Sequence, residues 1–149
     1  MVLLADGLSG AMRWLNERVP YRFTAIFSFE GDVLHNICLI DKQNPSVPKL
    51  SDQPISQSYC MYIQASGRDF TVEDSMRDGR VESHAKRRNV QCYYGIPLFD
   101  PTGKMVGTVC HFDSMPIRVT EEIATVLDDL APLIAEAAFK LDHRTSDAA

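Results

Sequence analysis

Cysteine is scarce in this chain: Cys38, Cys60, Cys92 and Cys110 are spaced 22, 32 and 18 residues apart and form no CxxC pair. That argues against a disulfide framework, and the simple reading is four buried thiols packed as small hydrophobes. Long apolar runs are missing too. The opening MVLLADGLSGAMRWLNERVP has no basic leader and, after Met1, only the four-residue apolar run VLLA before Asp6, too short for a secretory signal or a membrane span. A cytoplasmic protein with reduced thiols is expected. Positive charge is short: 15 Lys and Arg against 20 Asp and Glu give a net charge of −5, which argues against nucleic acid as a partner. The densest basic run, Lys86-Arg87-Arg88, follows Asp69, Glu73, Asp74, Asp78 and Glu82 and reads as a solvated helix face.

What is present is a globular balance of 45% hydrophobic and 23% charged residues. At 149 residues one domain is the default, with its core over about 5–142 and a loose tail at 143–149. Leu4, Leu8, Met12, Leu15 and Val19 recur at helical spacing, so 2–18 should be an amphipathic helix that Pro20 ends. RFTAIFSF (22–29) and VLHNICLI (33–40) flank Glu30-Gly31-Asp32, a hairpin signal. Both runs are apolar on nearly every residue, so both sheet faces should be covered.

Residues 41–54 hold Pro45, Pro48 and Pro54 with no apolar period, the character of a lid or binding loop. A helix is expected next, with Ser51 or Asp52 as cap and Pro54 in its first turn, carrying Ile55, Tyr59, Tyr62 and Ile63 on one face until Gly67. RDFTV (68–72) should be a short strand, Asp74 the cap of a helical turn, and 80–88 a second helix after Asp78-Gly79. QCYYGIPLF (91–99) and KMVGTVCHF (104–112) are strands around the turn Asp100-Pro101-Thr102-Gly103. Thr120 caps a last helix, in which Ile123, Leu127, Leu130, Ile134, Ala137 and Leu141 make a heptad seam and Pro132 a kink.

GTVCHFD (107–113) sets Cys110 beside His111, the residue types of thiol nucleophiles, zinc ligands and haem or bilin attachment. On a strand they point to opposite faces, so they cannot serve as nucleophile and base for each other. Cys110 groups with Val106, Thr108 and Phe112; His111 groups with Met105, Val109 and Asp113. Which of the two faces a pocket is left open by the alternation.

The element order, with SYCMYI (58–63), FTVEDSMRDGRV (70–81) and CYYGIPLFDPTGKMVGTVCHFD (92–113), resembles a GAF domain of the bacterial signalling subclass. Tyr93, Gly95, Pro97, Leu98, Gly103, Gly107, Thr108, Cys110 and Asp113 match that pattern one by one. The resemblance implies an α+β fold: a central antiparallel sheet of five or six strands, terminal helices on one face, and a pocket-forming loop and short helices on the other. It implies a sensory module that binds an unidentified small molecule, with homodimerisation through 2–18 and 120–142 and a possible signalling partner protein. The ligand-binding candidates are Tyr59, Cys60, Asp74, His84, Tyr93 and either Cys110 or His111. No catalytic residue, cofactor or metal site is required by the sequence.

Each candidate has a plainer role. Cys60 falls mid-helix with no helix terminus to acidify it, so packing explains it. Asp74 is a helix cap, His84 a surface histidine beside Lys86, and Tyr59, Tyr62, Tyr93 and Tyr94 could equally be core. A thiol-based redox enzyme or a haem or metal redox sensor is the alternative. Free methionine sulfoxide reductases are GAF enzymes with cysteines before the Val-Pro-Leu strand, yet Gly67 to Gln91 contains none here. The bilin-attachment cysteine and the Asp-Ile-Pro motif of bilin-binding GAF domains are missing as well.

Overall fold

β1 (Phe23–Glu30) and β2 (Val33–Asp41) form the expected antiparallel hairpin, and β5 (Cys92–Phe99) and β6 (Met105–Asp113) form a second. β1 pairs with β6 and joins the hairpins. β3 (Gln53–Pro54) and β4 (Phe70–Val72) complete a six-stranded sheet in the order β3-β2-β1-β6-β5-β4, every pairing antiparallel. α1 (Val2–Glu17), α2 (Cys60–Ser66) and α3 (Glu121–Ala148) complete the fold. This computed structural model describes the backbone of residues 2–148 and the side chains of residues 7–139. Leu4 and Leu141 of the apolar stripes lie outside the described side chains. α3 continues through the segment whose composition suggests a loose tail.

The sheet separates two cores, as the doubly apolar strands require. On one face α1 and α3 pack Met12, Leu15, Leu127, Ile134 and Ala138 against Ile26, Ile40, Tyr94, Ile96 and Val109. On the other, Ile55, Tyr59, Cys60 and Ile63 pack against Ala25, Phe27, Leu34, Tyr93 and Cys110. The cysteines divide two and two between these layers. Ile123, Leu127 and Ile134 of the heptad seam are buried against the chain's own sheet, while Leu133 stays half exposed. Thr120 Oγ1 accepts from the Ile123 N–H at 3.2 Å, the expected cap.

Two bulges break the strict alternation. Ile26 pairs with Cys38 but Phe27 with Asn36, leaving Ile37 as an extra residue in β2. The Asn36 amide fills that irregularity by donating to the Ile26 carbonyl at 3.1 Å and the Cys38 carbonyl at 2.9 Å. In β6, Leu98 pairs with Gly107 and Phe99 with Met105, so Val106 is the extra residue. Consequently Val106 joins the helix-side core and Met105 the opposite one, which reverses their expected grouping with Cys110 and His111 respectively.

Gly107 is where β6 must come closest to its neighbours. A Cβ there would sit 1.9 Å from the Phe27 carbonyl oxygen and 2.9 Å from the Phe139 ring of α3. No side chain fits, which is the physical content of the Gly-Thr pair in the motif.

The segment after the long loop differs from its sequence reading. Pro54 lies in edge strand β3, Ile55–Gln57 makes a single 3-10 turn, and Ser58 is extended with φ −133° and ψ 152°. α2 therefore starts at Cys60, not at 54, because Gln53 and Pro54 are drawn into pairing with Leu34 and Val33. No helix spans 80–88: a 3-10 turn at Gly79–Val81 is followed by turns. Arg87 holds them by donating to the Ser75 and Met76 carbonyls at 3.1 and 2.9 Å. The basic run is therefore not a solvated helix face. Among the described residues, no helix is long and apolar enough to cross a membrane.

Candidate functional site

On the α2 side of the sheet lies a cavity of about 210 Å³. Its floor is Phe27 of β1, Tyr93 of β5, and Cys110 and Phe112 of β6; Leu50 and Gln53 come from the long loop, Gln57, Ser58 and Tyr59 from the turn before α2, and Lys86, Asn89 and Val90 from the turns that follow β4. An aromatic floor with a few convergent polar groups and one cation is the usual make-up of a small-molecule site. The long loop is held as a wall by Asn36, whose Oδ1 accepts from the Leu50 N–H at 2.9 Å. His35 and Asp52 add a second tie, Nδ1 to Oδ1 at 2.8 Å.

A larger groove of about 460 Å³ runs between α3 and β5, lined by Ile96–Phe99, Ala131, Pro132 and Ala135 with Asp69 and Asp128. It is an open apolar trough with two carboxylates and few polar donors. The smaller, more enclosed cavity is the better ligand site.

Of the sequence candidates, Tyr59, Tyr93 and Cys110 line this cavity. Cys60 lies directly behind it, fully buried. Its sulfur is 3.2 Å from the Tyr93 hydroxyl and 3.3 Å from Thr108 Oγ1, and Thr108 stands two residues from Cys110 on the same strand. Tyr93 reaches Cys60 because its ring lies over Gly95, where a Cβ would come within 2.5 Å of the hydroxyl. Burial pushes the Cys60 thiol up, but the polar groups around it, Cys110, Ser58, Thr108 and Tyr93, outweigh burial and bring it below its ordinary value. Cys110 is held well above its ordinary value by burial and by neighbouring Cys60. Cys60 is the first residue of α2 rather than mid-helix, and the mid-helix reading missed this polar surround as well.

His84 closes one side without entering the cavity. Its ring packs 4.7 Å from that of Tyr59, and its Nδ1 accepts from the Lys86 N–H at 3.0 Å. Burial lowers its pKa, so the neutral ring with hydrogen on Nε2 is favoured. Asp74 is removed from the site: its carboxylate accepts from the Met76 N–H at 3.1 Å and faces a separate open cleft with Arg77 and Arg80. Capping is its role here, as its position before a helical turn suggests.

His111 points the other way, into the helix-side layer, so it is not a cavity residue. It stacks on Tyr21 with centroids 5.3 Å apart, and Thr24 Oγ1 lies 2.7 Å from its Nδ1. Asn16 Nδ2 donates to Thr24 Oγ1 at 2.8 Å, and the hydroxyl keeps one hydrogen and one lone pair with which to pair with His111 Nδ1. Burial, helped by the Lys42 cation, pushes His111 down to about 3. It is a neutral structural histidine.

Lys86, noted only as part of the basic run, and Asn89, Gln53, Gln57 and Leu50 were not among the binding candidates read from the sequence. Phe27 and Phe112 follow from alternation once Cys110 is known to face the cavity, but the polar wall residues sit in irregular segments with no period to reveal them.

The fold that these elements build is GAF-like. No protein-family model and no curated protein matches the sequence. Solved structures do. The GAF domain of a phosphoenolpyruvate-protein phosphotransferase from Acinetobacter superposes with a TM-score of 0.73 at 11% identity over 95% of this chain and 85% of that one. The GAF domain of a two-component sensor histidine kinase from Bacillus halodurans gives 0.71 at 14% identity, covering 95% and 97%. A type II free methionine-R-sulfoxide reductase from Thermoplasma acidophilum gives 0.70 at 14% identity, covering 91% and 92%. Sensor domains and an enzyme thus share this architecture, and at these identities the likeness is one of fold.

Proposed function

We propose that the chain is a sensory module that binds a small metabolite in the cavity beneath residues 41–54, acts in the cytoplasm, and passes occupancy to a partner protein through a homodimer built on α1 and α3. The observation that carries this reading is the aromatic-floored cavity with Lys86, Asn89, Gln53 and Gln57 converging on it. At about 210 Å³ it is smaller than the roughly 300–1,000 Å³ typical of drug-sized sites, which favours a ligand of amino-acid size. Lys86 favours one with an anionic group. Support for the dimer is the apolar surface left on α3, where Leu133 is exposed and Leu130 only partly covered.

The test is a native mass spectrum of the purified chain, compared with its denatured mass and followed by a thermal-shift screen of small carboxylates and phosphates. The reading expects a dimer and a ligand whose stabilising effect is lost on Lys86→Gln. A monomer would refute the dimer, and no stabilising compound with Lys86 intact would refute the anion site.

A thiol redox enzyme is the second reading, and the hydrogen-bonded Cys60 favours it. It expects turnover of a small sulfoxide or disulfide that Cys60→Ser abolishes. The stretch Gly67–Gln91, free of cysteine, lacks the thiols expected of a sulfoxide reductase, so sensing is preferred.

A further inference from the structure

We propose that Cys60 and Cys110 are a reversible dithiol, oxidised to a disulfide by hydrogen peroxide that enters through the cavity. The other cysteines provide an internal contrast. Cys38 and Cys92 lie in the helix-side core, where burial first raises their pKa, that of Cys92 to about 12. Only Cys60 and Cys110 share the opposite layer.

Three features of that layer set the pair apart from packed thiols. Cys110 borders the cavity, so a solute there meets its sulfur. Cys60 is surrounded by hydroxyls, from Tyr93 at 3.2 Å and Thr108 at 3.3 Å, that can donate to a thiolate. Gly95, the cross-strand partner of Cys110, leaves the space through which Tyr93 reaches the Cys60 sulfur. A buried thiolate without such donors would be strongly disfavoured. Thr108, in contact with the Cys60 sulfur, is two residues from Cys110 in β6, and Tyr93, also in contact with it, lies over the strand partner of Cys110, so the two thiols share one set of neighbours, and each side chain turns about a single χ1 bond.

The chemistry balances as follows. The Cys60 thiolate takes the Cys110 thiol hydrogen, and the Cys110 thiolate so formed attacks one peroxide oxygen; the S–O bond forms, the O–O bond breaks, and the departing hydroxide takes a proton from solvent to leave as water. Cys60 gives up that hydrogen to solvent, and its thiolate then attacks the sulfenic sulfur of Cys110. The S–S bond forms, the S–O bond breaks, and the leaving hydroxide takes a proton from solvent, replacing the one that Cys60 released. Two thiols are oxidised by two electrons, and one peroxide is reduced to two waters. A small thiol reductant reverses the step by thiol–disulfide exchange.

The proposal rests on the reading of the cavity as open to small solutes, but not on which metabolite binds there. The test exposes the full chain to stoichiometric hydrogen peroxide, alkylates it under denaturing conditions, and maps the peptides with and without dithiothreitol. Expected are a mass loss of two hydrogens, a Cys60–Cys110 linked peptide that dithiothreitol removes, and full alkylation of Cys38 and Cys92. Cys60→Ser, checked for folding by circular dichroism, should instead accumulate oxygen adducts on Cys110. No linked peptide in the unsubstituted chain, or equal oxidation of all four cysteines, would overturn the proposal whatever the variant does. Peptide linkage and the metabolite screen are read separately, so linkage without a metabolite hit would undo the metabolite reading alone.

Discussion

Acid should expose the neutral state of His111 as a loss of stability that His111→Gln removes. The ring is fully buried between Tyr21 and Thr24, and the Lys42 cation opposes a second proton. Its pKa is about 3 in the fold against an ordinary value of 6.5. Because the folded value is the lower one, the unfolded chain takes up the proton first as pH falls. Stability from this group is intact above 6.5 and is lost on the way down toward 3, at up to about 1.4 kcal/mol per pH unit. Between pH 7 and pH 5 that amounts to about 2 kcal/mol. A Gln at 111 can still pair with the Thr24 hydroxyl through its amide but cannot titrate. It should be less stable at pH 7 by about 1–3 kcal/mol, from the lost ring stack and imperfect filling, while its stability falls less steeply with acid. Urea unfolding of both proteins at pH 7 and pH 5, with unchanged slopes, gives the four free energies. The difference of differences isolates His111, since His84 and the acidic groups are common to both proteins. Equal acid sensitivity would refute the claim that His111 is held neutral by the fold.

Gly107→Ala should destabilise the protein by at least the 1–3 kcal/mol typical of overpacking, because its Cβ would meet the Phe27 carbonyl backbone rather than a movable side chain. Thermal unfolding within 0.5 kcal/mol of the parent would contradict that. Asn36→Leu should cost about 1–3 kcal/mol by leaving the Ile26 and Cys38 carbonyls and the Leu50 N–H without their side-chain partner. Hydrogen exchange should show the Leu50 amide losing protection ahead of β1; protection unchanged at Leu50 would show that the loop is held by other means. Tyr93→Phe removes one donor from the Cys60 sulfur and should raise the pH midpoint of its alkylation by one to two units, the equivalent of a charge-assisted hydrogen bond of about 1.5–3 kcal/mol. An unmoved midpoint would remove Tyr93 from the thiol environment.

The sheet was legible in the sequence because its strands are long, apolar and joined by turns with strong local chemistry. Asp100 shows why: its Oδ1 accepts from the Thr102 and Lys104 N–H groups at 2.8 and 3.0 Å, contacts already implied by Asp-Pro-Thr-Gly. The start of α2 was not legible. Pro54 suits a first helical turn as well as an edge strand, and only pairing with β2, twenty residues away in sequence, decides between them. The cavity wall was illegible for a related reason. Lys86 looks like part of a solvated charge run until Arg87 ties that segment to the backbone of Ser75 and Met76 and brings Lys86 to the cavity.

Alternation along β6 could separate Cys110 from His111 but not assign their faces, because both faces are buried and a period of two is blind to which is which. The assignment comes from what surrounds each side chain. His111 meets Asn16-bonded Thr24 and the Tyr21 ring beneath α1, while Cys110 meets Cys60 and Tyr93. One strand thus contributes both to the cavity floor and to the seat of the terminal helices. Cys110 and Phe112 touch the cavity space and Val109 and His111 alternate with them on the helix side, as Ile26 does with Phe27 on neighbouring β1. Gly107 fixes the same strand against β1 and Phe139 of α3 with no room for a methyl group. A ligand, or a disulfide, that displaces β6 by a fraction of an ångström therefore cannot be absorbed on the cavity side alone. Close packing passes the displacement to α1 and α3, the elements through which the proposed homodimer would read it.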